Sequence, residues 1–573
     1  MSTLRKLPRH FTRLLQRKSK IVIVFTFLLT IIFCLHHYTS STNAFSQVQF
    51  DPETSYSLPP SINSPLKDFY SSLMTTLIEM SPEGESEKKY SDDCKLKGAL
   101  DGSANGYKTS YKATFDNLNN CLEIPDDKLQ LLREKHLGVT NKINGVKLPD
   151  GILRGKGIVI VGGGKYSVLA ASNIQILRDF NTTLPVEVFI PPGEDDDQFC
   201  NEFLPKYNAK CTHIENILNP EVLNNVKFKG YQYKSLALLS SQFEHILFLD
   251  ADNFPMKFLD NIFDEVSYKK YSMILWSDFW RRTDSPKYYD IAGIKYNKNK
   301  RVRNLFDDIT PVEVYTENMN DLKDVPFHDF EGTVPDISTE SGQFLINKKI
   351  HWKTIVLSLY YNLNGPKWYY PIFSQGAPGE GDKETFASAA TVFGLPFYQL
   401  RRRPGIGGYH DTSFHGVCMF QENFTVDYNN YLEAKKIIGK KYKDVKPTFQ
   451  DQDHTILPNV YDTYFNNGEQ DVMFVHFNFP KLNPVELSKH HTFIENNGKQ
   501  HRSISNLKPM GYFDLELNVN VKLKDMICGE EAPFTYVKES FIKTETTKEK
   551  VCGYIDTRIK FLSDTHKEAT TPK

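Results

Sequence analysis

Phe243-Glu244-His245-Ile246-Leu247-Phe248-Leu249-Asp250-Ala251-Asp252-Asn253 carries four large apolar residues straight into two carboxylates two positions apart. Such an apolar run, bounded by polar residues, is the pattern of a strand buried on both faces, as in a parallel sheet covered by helices. In open α/β sheets ligands bind at the carboxyl ends of the strands, which is where Asp250 and Asp252 stand. Two apart on an extended chain they share a face, and hard carboxylate oxygens suit Mg²⁺ or Mn²⁺ carrying a diphosphate. A bare D-x-D is also a common capped turn, and the strand before it is what favours a ligand site.

Upstream, apolar runs at 158–161 and 186–190 bracket an amphipathic stretch with Val168, Leu169, Ile176 and Leu177. That spacing predicts strand, helix, strand, and residues 234–243 predict a further helix feeding the strand before Asp250. Such alternation implies an α/β fold with a mainly parallel sheet. Gly162-Gly163-Gly164 directly follows the first strand, and a glycine turn between strand and helix lets backbone N–H groups approach a phosphate. The turn reads either as part of a nucleotide-sugar site or as purely structural. A dinucleotide fingerprint is disfavoured, since Ser167 replaces its last small residue and Ile190-Pro191 stand where an acidic residue belongs.

With 573 residues, Lys+Arg 69 against Asp+Glu 70, and 40% hydrophobic residues, the chain has ample core and no excess basic charge for nucleic-acid binding. The first 20 residues hold seven basic residues, and the first acidic residue is Asp51. The apolar run 21–38 is just long enough to cross a bilayer and ends in His36, His37 and Tyr38 rather than in small residues. Together these predict a cytosolic tail (1–20), an uncleaved signal-anchor (21–38) and type II topology. Residues 39–67, with seven Ser and four Pro, read as a stem, and 68–573 as the lumenal domain. Leu66, Phe69, Leu73, Met74, Leu77 and Ile78 recur at helical spacing, for packing on the domain or pairing with a second chain.

Seven cysteines follow the span with no C-x-x-C, which favours disulfides over zinc. Proximity in sequence suggests Cys94 with Cys121, Cys200 with Cys211 and Cys528 with Cys552, leaving Cys418 free, although spacing alone does not determine connectivity. Sequons at Asn181 and Asn423 are compatible with lumenal exposure. The aromatic groups Trp276, Phe279, Trp280 and Trp368, Tyr369, Tyr370 read as sugar-stacking surfaces or as core. Asp278 between two such rings is a candidate for acceptor hydroxyls. Arg401-Arg402-Arg403 reads as a solvated basic turn or a diphosphate contact.

Four ordered segments resemble GT-A glycosyltransferases, including the glycogenin-like ones. They are Lys234 with Leu236-Ala237-Leu238 leading into Leu249-Asp250-Ala251-Asp252, then Glu340-Ser341-Gly342-Gln343-Phe344, Gly381-Asp382-Lys383-Glu384, and Val475-His476-Phe477 with Lys481. A closer resemblance, carried by 157–165, 184–189, 249–253 and 374–385, is to the fungal Golgi mannosyltransferases of glycosyltransferase family 71. It covers about Gly155 to His476.

That resemblance implies a GT-A-like domain behind a single transmembrane anchor in the Golgi membrane. It implies transfer of mannose from GDP-mannose with Mn²⁺ or another divalent cation, retaining the α configuration and branching the α-1,6-mannan backbone of N-glycans through α-1,2 linkages. It implies that Asp250, Asp252 and His476 hold the metal and that Lys234 and Lys481 meet the donor phosphates. It also places Asp382 and, after it, Glu384 at the sugar as catalytic carboxylates, although Lys383-Glu384 departs from the family's Gly-Asp-Gln turn. The same family includes α-1,3-mannosyltransferases, and a non-catalytic scaffold subunit, in complex with other mannosyltransferases, would share the fold.

Overall fold

Helix α1 (Ser64–Glu79) is the first described element of the computed structural model. The structure describes residues 64–572 apart from 92–93, 95, 97–112, 195, 451–458, 530–532 and 544–545. The expected tail 1–20, span 21–38 and all but the last residues of the stem lie outside the described residues. No helix among the described residues is long and apolar enough to cross a membrane. The stem boundary expected at residue 67 falls inside α1, because Leu66 is already buried with Tyr70, Leu73, Met74 and Leu77. The helix packs on the domain, with the Phe69 ring 5.5 Å from Trp352 and the Ser71 hydroxyl accepting from the Asn219 N–H.

The strands in chain order are β1 (Lys156–Val161), β2 (Val186–Ile190), β3 (Ala209–His213), β4 (His245–Leu249), β5 (Asn253–Pro255), β6 (Met273–Ser277), β7 (Asn297–Arg301), β8 (Phe330–Glu331), β9 (Thr339–Asn347), β10 (Tyr398–Gln399), β11 (Gly405–His410), β12 (Phe414–Glu422) and β13 (Val472–His476). Seven of them form the central sheet, in the order β10-β6-β9-β4-β1-β2-β3. β1 runs parallel to β2 and β4, β2 to β3, and β10 to β6. The expected mainly parallel character therefore holds, with one exception. β9, which the apolar pattern did not separate from a parallel strand, lies antiparallel between β4 and β6.

Helix α2 (Lys165–Asp179) follows β1 at once, and α3 (Gln232–Ser240) precedes β4, one turn shorter than its expected reach to 243. Phe243 instead lies across β1, where a Cβ on Gly157 would come within 2.2 Å of its ring. Buried apolar residues on the two sheet faces form two clusters that cover β2 completely and all but the ends of β1 and the first residue of β4.

A second, antiparallel sheet has the order β11-β12-β13-β5. Because β5 begins one residue after Asp252, the chain leaves the central sheet at β4 and enters the second sheet with only Asp250-Ala251-Asp252 between them. The three disulfides join Cys94–Cys121, Cys200–Cys211 and Cys528–Cys552, and Cys418 is free and buried.

Candidate functional site

The turn between β4 and β5 is held from three sides. The Asp250 N–H donates to the Gly342 carbonyl on β9 (2.8 Å), and the Phe477 N–H donates to the Asp252 carbonyl (3.0 Å). From α2 the Asn173 amide donates to the Asn253 carbonyl at 2.8 Å and lies 3.4 Å from those of Asp250 and Ala251. The Asn253 amide in turn donates to the Gly342 carbonyl at 2.9 Å. A loop with this many fixed backbone groups presents its carboxylates in one orientation.

Those carboxylates meet His476, the last residue of β13. Antiparallel pairing sets His476 opposite Asn253, so its imidazole projects beside the turn. Its Nε2 lies 3.5 Å from Asp252 Oδ1, and one ligand atom from each of Asp250, Asp252 and His476 falls within 4.8 Å of the others. Two hard carboxylates and an imidazole at this spacing fit a divalent cation such as Mn²⁺ or Mg²⁺.

On its other side His476 Nδ1 is 3.5 Å from Glu340 Oε1, and the same oxygen accepts from the Gly342 N–H at 2.6 Å. Gly342 is required there, since a Cβ would stand 2.6 Å from the imidazole. Burial disfavours the imidazolium, but Asp252 and Glu340 outweigh it and push His476 up to about 10. Against the same burial, contact with His476 holds Glu340 down to about 2 and, with Lys481, holds Asp252 below the usual carboxylate range. Asp250 moves the other way, because burial outweighs the attraction of Lys234 and His476.

The two predicted lysines stand at the same turn. Lys234 Nζ, buried on α3, lies 3.3 Å from Asp250 Oδ1 and 3.1 Å from Asp382 Oδ2, and donates to the Ser341 carbonyl at 2.8 Å. Lys481 pairs with Asp252 through its ammonium group. Lys234 is thus shared between two carboxylates, whereas the Lys481 side chain is one-third exposed, and a phosphate oxygen at the turn would compete with the carboxylates for both.

The two acids of the Gly381-Asp382-Lys383-Glu384 turn part company. Asp382 joins the site, accepting from the Ser341 hydroxyl at 3.1 Å as well as from Lys234. Glu384 does not. Its carboxylate pairs with the fully buried Arg282 and accepts from Ser338 (2.7 Å) and Thr339 (3.1 Å), so both oxygens are committed and the expected catalytic role gives way to a structural ion pair.

Further corrections concern side chains that only packing assigns. Trp276, Trp368, Tyr369 and Tyr370 are core residues, with the Trp276 indole donating to the Glu422 carbonyl at 2.8 Å. Phe279 and Trp280 remain half-buried, and Asp278 pairs with Lys383 at 2.9 Å. Arg401 is buried between Asp308 (2.9 Å) and the Tyr431 ring, and Arg402 pairs with Glu422 at 3.1 Å, so neither forms a solvated turn or faces the Asp250–Asp252 turn.

At the glycine turn, Gly163 and Gly164 have positive φ, and the Gly163 N–H donates to the Ser167 hydroxyl at 3.0 Å. A Cβ on Gly163 would meet the Glu194 carboxylate at 2.5 Å, so an anion already borders Gly163, while Gly162 packs on Val188. The structure gives this turn a close backbone approach and leaves the positive charge to Lys234 and Lys481. Asn181 is exposed in a left-handed turn after α2. Asn423 instead caps the helix Phe424–Lys441, accepting from the Thr425 N–H and donating to Asp471 at 2.9 Å, which removes it from the expected pair of open sequons. Sequence reading missed Asn173, Glu340 and Arg282; the Glu340-Ser341-Gly342 segment was singled out, but nothing in it announced an imidazole partner.

A mannosyltransferase family model (Mannosyl_trans3) matches residues 155–426. The chain is 47% identical over 522 residues to the α-1,2-mannosyltransferase MNN2 of Saccharomyces cerevisiae, covering 89% of this chain and 87% of that one. It is 35% identical to MNN5 of the same yeast over 98% and 99% of the two chains, and 35% identical to MNN23 of Candida albicans over 77% and 76%. Among solved structures it resembles the galactosyltransferase LgtC in complex with donor and acceptor sugar analogs, at 12% identity and a TM-score of 0.25, covering 43% of this chain and 73% of that one. Identity at this level across nearly the full length of both chains, together with the family match over the glycine turn, the D-x-D and the Asp382 turn, places this chain in the family of the fungal α-1,2-mannosyltransferases.

Proposed function

We propose that the protein is a Golgi α-1,2-mannosyltransferase that moves mannose from GDP-mannose to mannan, branching the α-1,6-mannan backbone of N-glycans, with retention of configuration. The observation that carries this reading is the meeting of Asp250, Asp252 and His476 at the end of β4, flanked by Lys234 and Lys481. Two carboxylates, an imidazole and two ammonium groups around one turn make a site for a metal-bound diphosphate, which is the leaving group of a GT-A reaction. The α-1,2 linkage comes from the likeness to MNN2 and MNN5, and the mannan acceptor from the resemblance to the Golgi mannosyltransferases of family 71.

A bound Mn²⁺ supplies Lewis-acid charge for the departing diphosphate. Asp250, Asp252 and the neutral form of His476 would hold it. Glu340, 3.5 Å from Nδ1, would orient the imidazole with Nε2 toward Asp252 and such an ion. Lys234 and Lys481 turn from their carboxylates to phosphate oxygens. Asp382, anchored by Ser341 and Lys234, stands beside the sugar and offsets positive charge at its anomeric carbon. A type II anchor at 21–38, with residues beyond Tyr38 in the Golgi lumen, matches the seven basic residues before the span and the three disulfides.

The test is incorporation of mannose from GDP-mannose into α-1,6- and α-1,2-linked mannooligosaccharides by the full chain in detergent, with Mn²⁺ or EDTA, beside Asp252→Ala. Metal-dependent transfer that Asp252→Ala abolishes, with an α-1,2 product by NMR, supports the reading. An α-1,3 product would reassign the linkage, and a folded protein that neither transfers nor hydrolyses the donor would make it a scaffold subunit.

A further inference from the structure

We propose that Tyr231 is the platform on which the terminal pyranose of the acceptor stacks. This rests on the mannosyltransferase reading above. The aromatic residues that the sequence offered for sugar stacking are largely unavailable: Trp276, Trp368, Tyr369 and Tyr370 are closed inside the core. Among the described residues two tyrosines are exposed, Tyr231 at 52% and Tyr166 at 37%, and both border the Asp250–Asp252 turn.

Tyr231 is the residue that opens α3, one turn before Lys234. Its ring lies over the loop that carries Asp382, with a ring carbon 3.3 Å from where a Cβ on Gly381 would stand. Gly381 has a φ of 146°, so the glycine both permits the loop conformation and lets the ring approach. The ring's edge rests on Tyr370 at 6.1 Å and 78°, which fixes its plane and leaves the rest open to solvent. On the other rim Tyr166, in the first turn of α2, has the Lys481 ammonium 5.9 Å from its ring centroid. Lys481 in turn pairs with Asp252.

The two tyrosines therefore flank the metal-binding carboxylates, Tyr166 on the side of the phosphate-facing lysine and Tyr231 on the side of Asp382. Burial and the negative charges of Asp382 and Asp250 raise the Tyr231 phenol despite Lys234, so it stays protonated and can donate to a sugar hydroxyl.

The position suits an acceptor better than a donor. The diphosphate belongs at the carboxylates and lysines of the turn, whereas an acceptor oligosaccharide leaves its remaining residues in solvent. It needs a flat apolar surface at the mouth of the site, since the axial C–H face of a pyranose packs on an aromatic ring.

The experiment uses the full chain in detergent with saturating GDP-mannose and Mn²⁺ and varies an α-mannooligosaccharide. Tyr231→Ala should raise the acceptor KM by about tenfold, the scale of an anchoring ring removed from a contact. Tyr231→Phe and Tyr231→Trp, which keep a ring, should stay within about threefold. Calorimetric GDP binding with Mn²⁺ should match wild type in all three. An unchanged acceptor KM in Tyr231→Ala overturns the proposal, as does a loss in Tyr231→Phe equal to that in Tyr231→Ala. A parallel loss of GDP affinity would assign the ring to the donor and also overturn it. Absence of both GDP binding and transfer in the wild-type protein would instead remove the mannosyltransferase reading beneath it.

Discussion

Asn253 and His476 face each other across the β5–β13 pair, and through that single register the chain brings a histidine 224 positions downstream against the carboxylate of Asp252. The candidate metal site is thus made by the seam between two sheets. β4 of the parallel sheet delivers Asp250 and Asp252, and β13 of the antiparallel sheet delivers the imidazole. Anything that loosens the seam should be felt first as lost metal affinity.

Asn173 is the side chain that ties α2 to this seam. Asn173→Ala leaves the Asn253 carbonyl without its donor in a buried place, at a cost of about 1–3 kcal/mol. We expect a lower Tm together with weaker Mn²⁺ binding, measured by differential scanning calorimetry and titration calorimetry. A lower Tm with unchanged metal affinity would show that the turn holds its shape without Asn173.

The two acids near the turn should separate cleanly. Glu384→Gln removes the charge that pairs with the buried Arg282 and leaves it only Asp284, 3.8 Å away, and breaking such a pair costs up to about 3–5 kcal/mol. It should lower Tm while leaving Mn²⁺ affinity intact in the folded protein. Glu340→Gln should do the reverse, weakening Mn²⁺ by about tenfold or more through loss of His476 orientation, with a smaller change in Tm. Metal loss in Glu384→Gln and none in Glu340→Gln would invert the assignment.

Acid should destabilise the fold through its buried histidines. Burial pushes His136, on the Tyr361 hydroxyl at 2.8 Å, and His328, on the Val334 carbonyl at 2.9 Å, down to about 3. The unfolded imidazoles titrate near 6.5, so between these values the unfolded chain binds more protons and stability falls as pH drops below about 6.5. From pH 7 to pH 5 each histidine contributes a loss of about 2 kcal/mol. His136→Gln should remove its share of the slope in urea melts at the two pH values. An unaltered slope would mean that His136 titrates in the folded protein as it does in the unfolded chain.

Expressed through the secretory pathway, the chain should carry one glycan from its two sequons among the described residues. Asn181 is exposed, whereas Asn423 is tied into its helix cap and to Asp471. Thr183→Ala should abolish the shift on endoglycosidase treatment, and Thr425→Val should not. Two glycans would require the cap at Asn423 to form only after modification. None would count against lumenal placement of this domain.

Apolar runs alone were enough to locate β1, β2 and β4, the helix between the first two, and the carboxylates at the end of β4, because a strand buried on both faces writes its burial directly into consecutive residues. The disulfide pairs were legible for a related reason, since all three close short loops. Tertiary structure decided the rest. β9 carries the same apolar signal as a parallel strand, and its direction depends on how the chain returns between β4 and β6. Glu384 differs from Asp382 only in that Arg282 reaches one and Lys234 the other. Trp276 and Trp368 are indistinguishable in sequence from the exposed ring of Tyr231, and whether a ring packs inside or meets a sugar depends on which element covers it. Sequence specifies which groups a chain owns and the local shape of each segment. Their partners are chosen by contacts between distant segments, and here those contacts turned a D-x-D on a strand end into a site with an imidazole, two lysines and an open tyrosine at its rim.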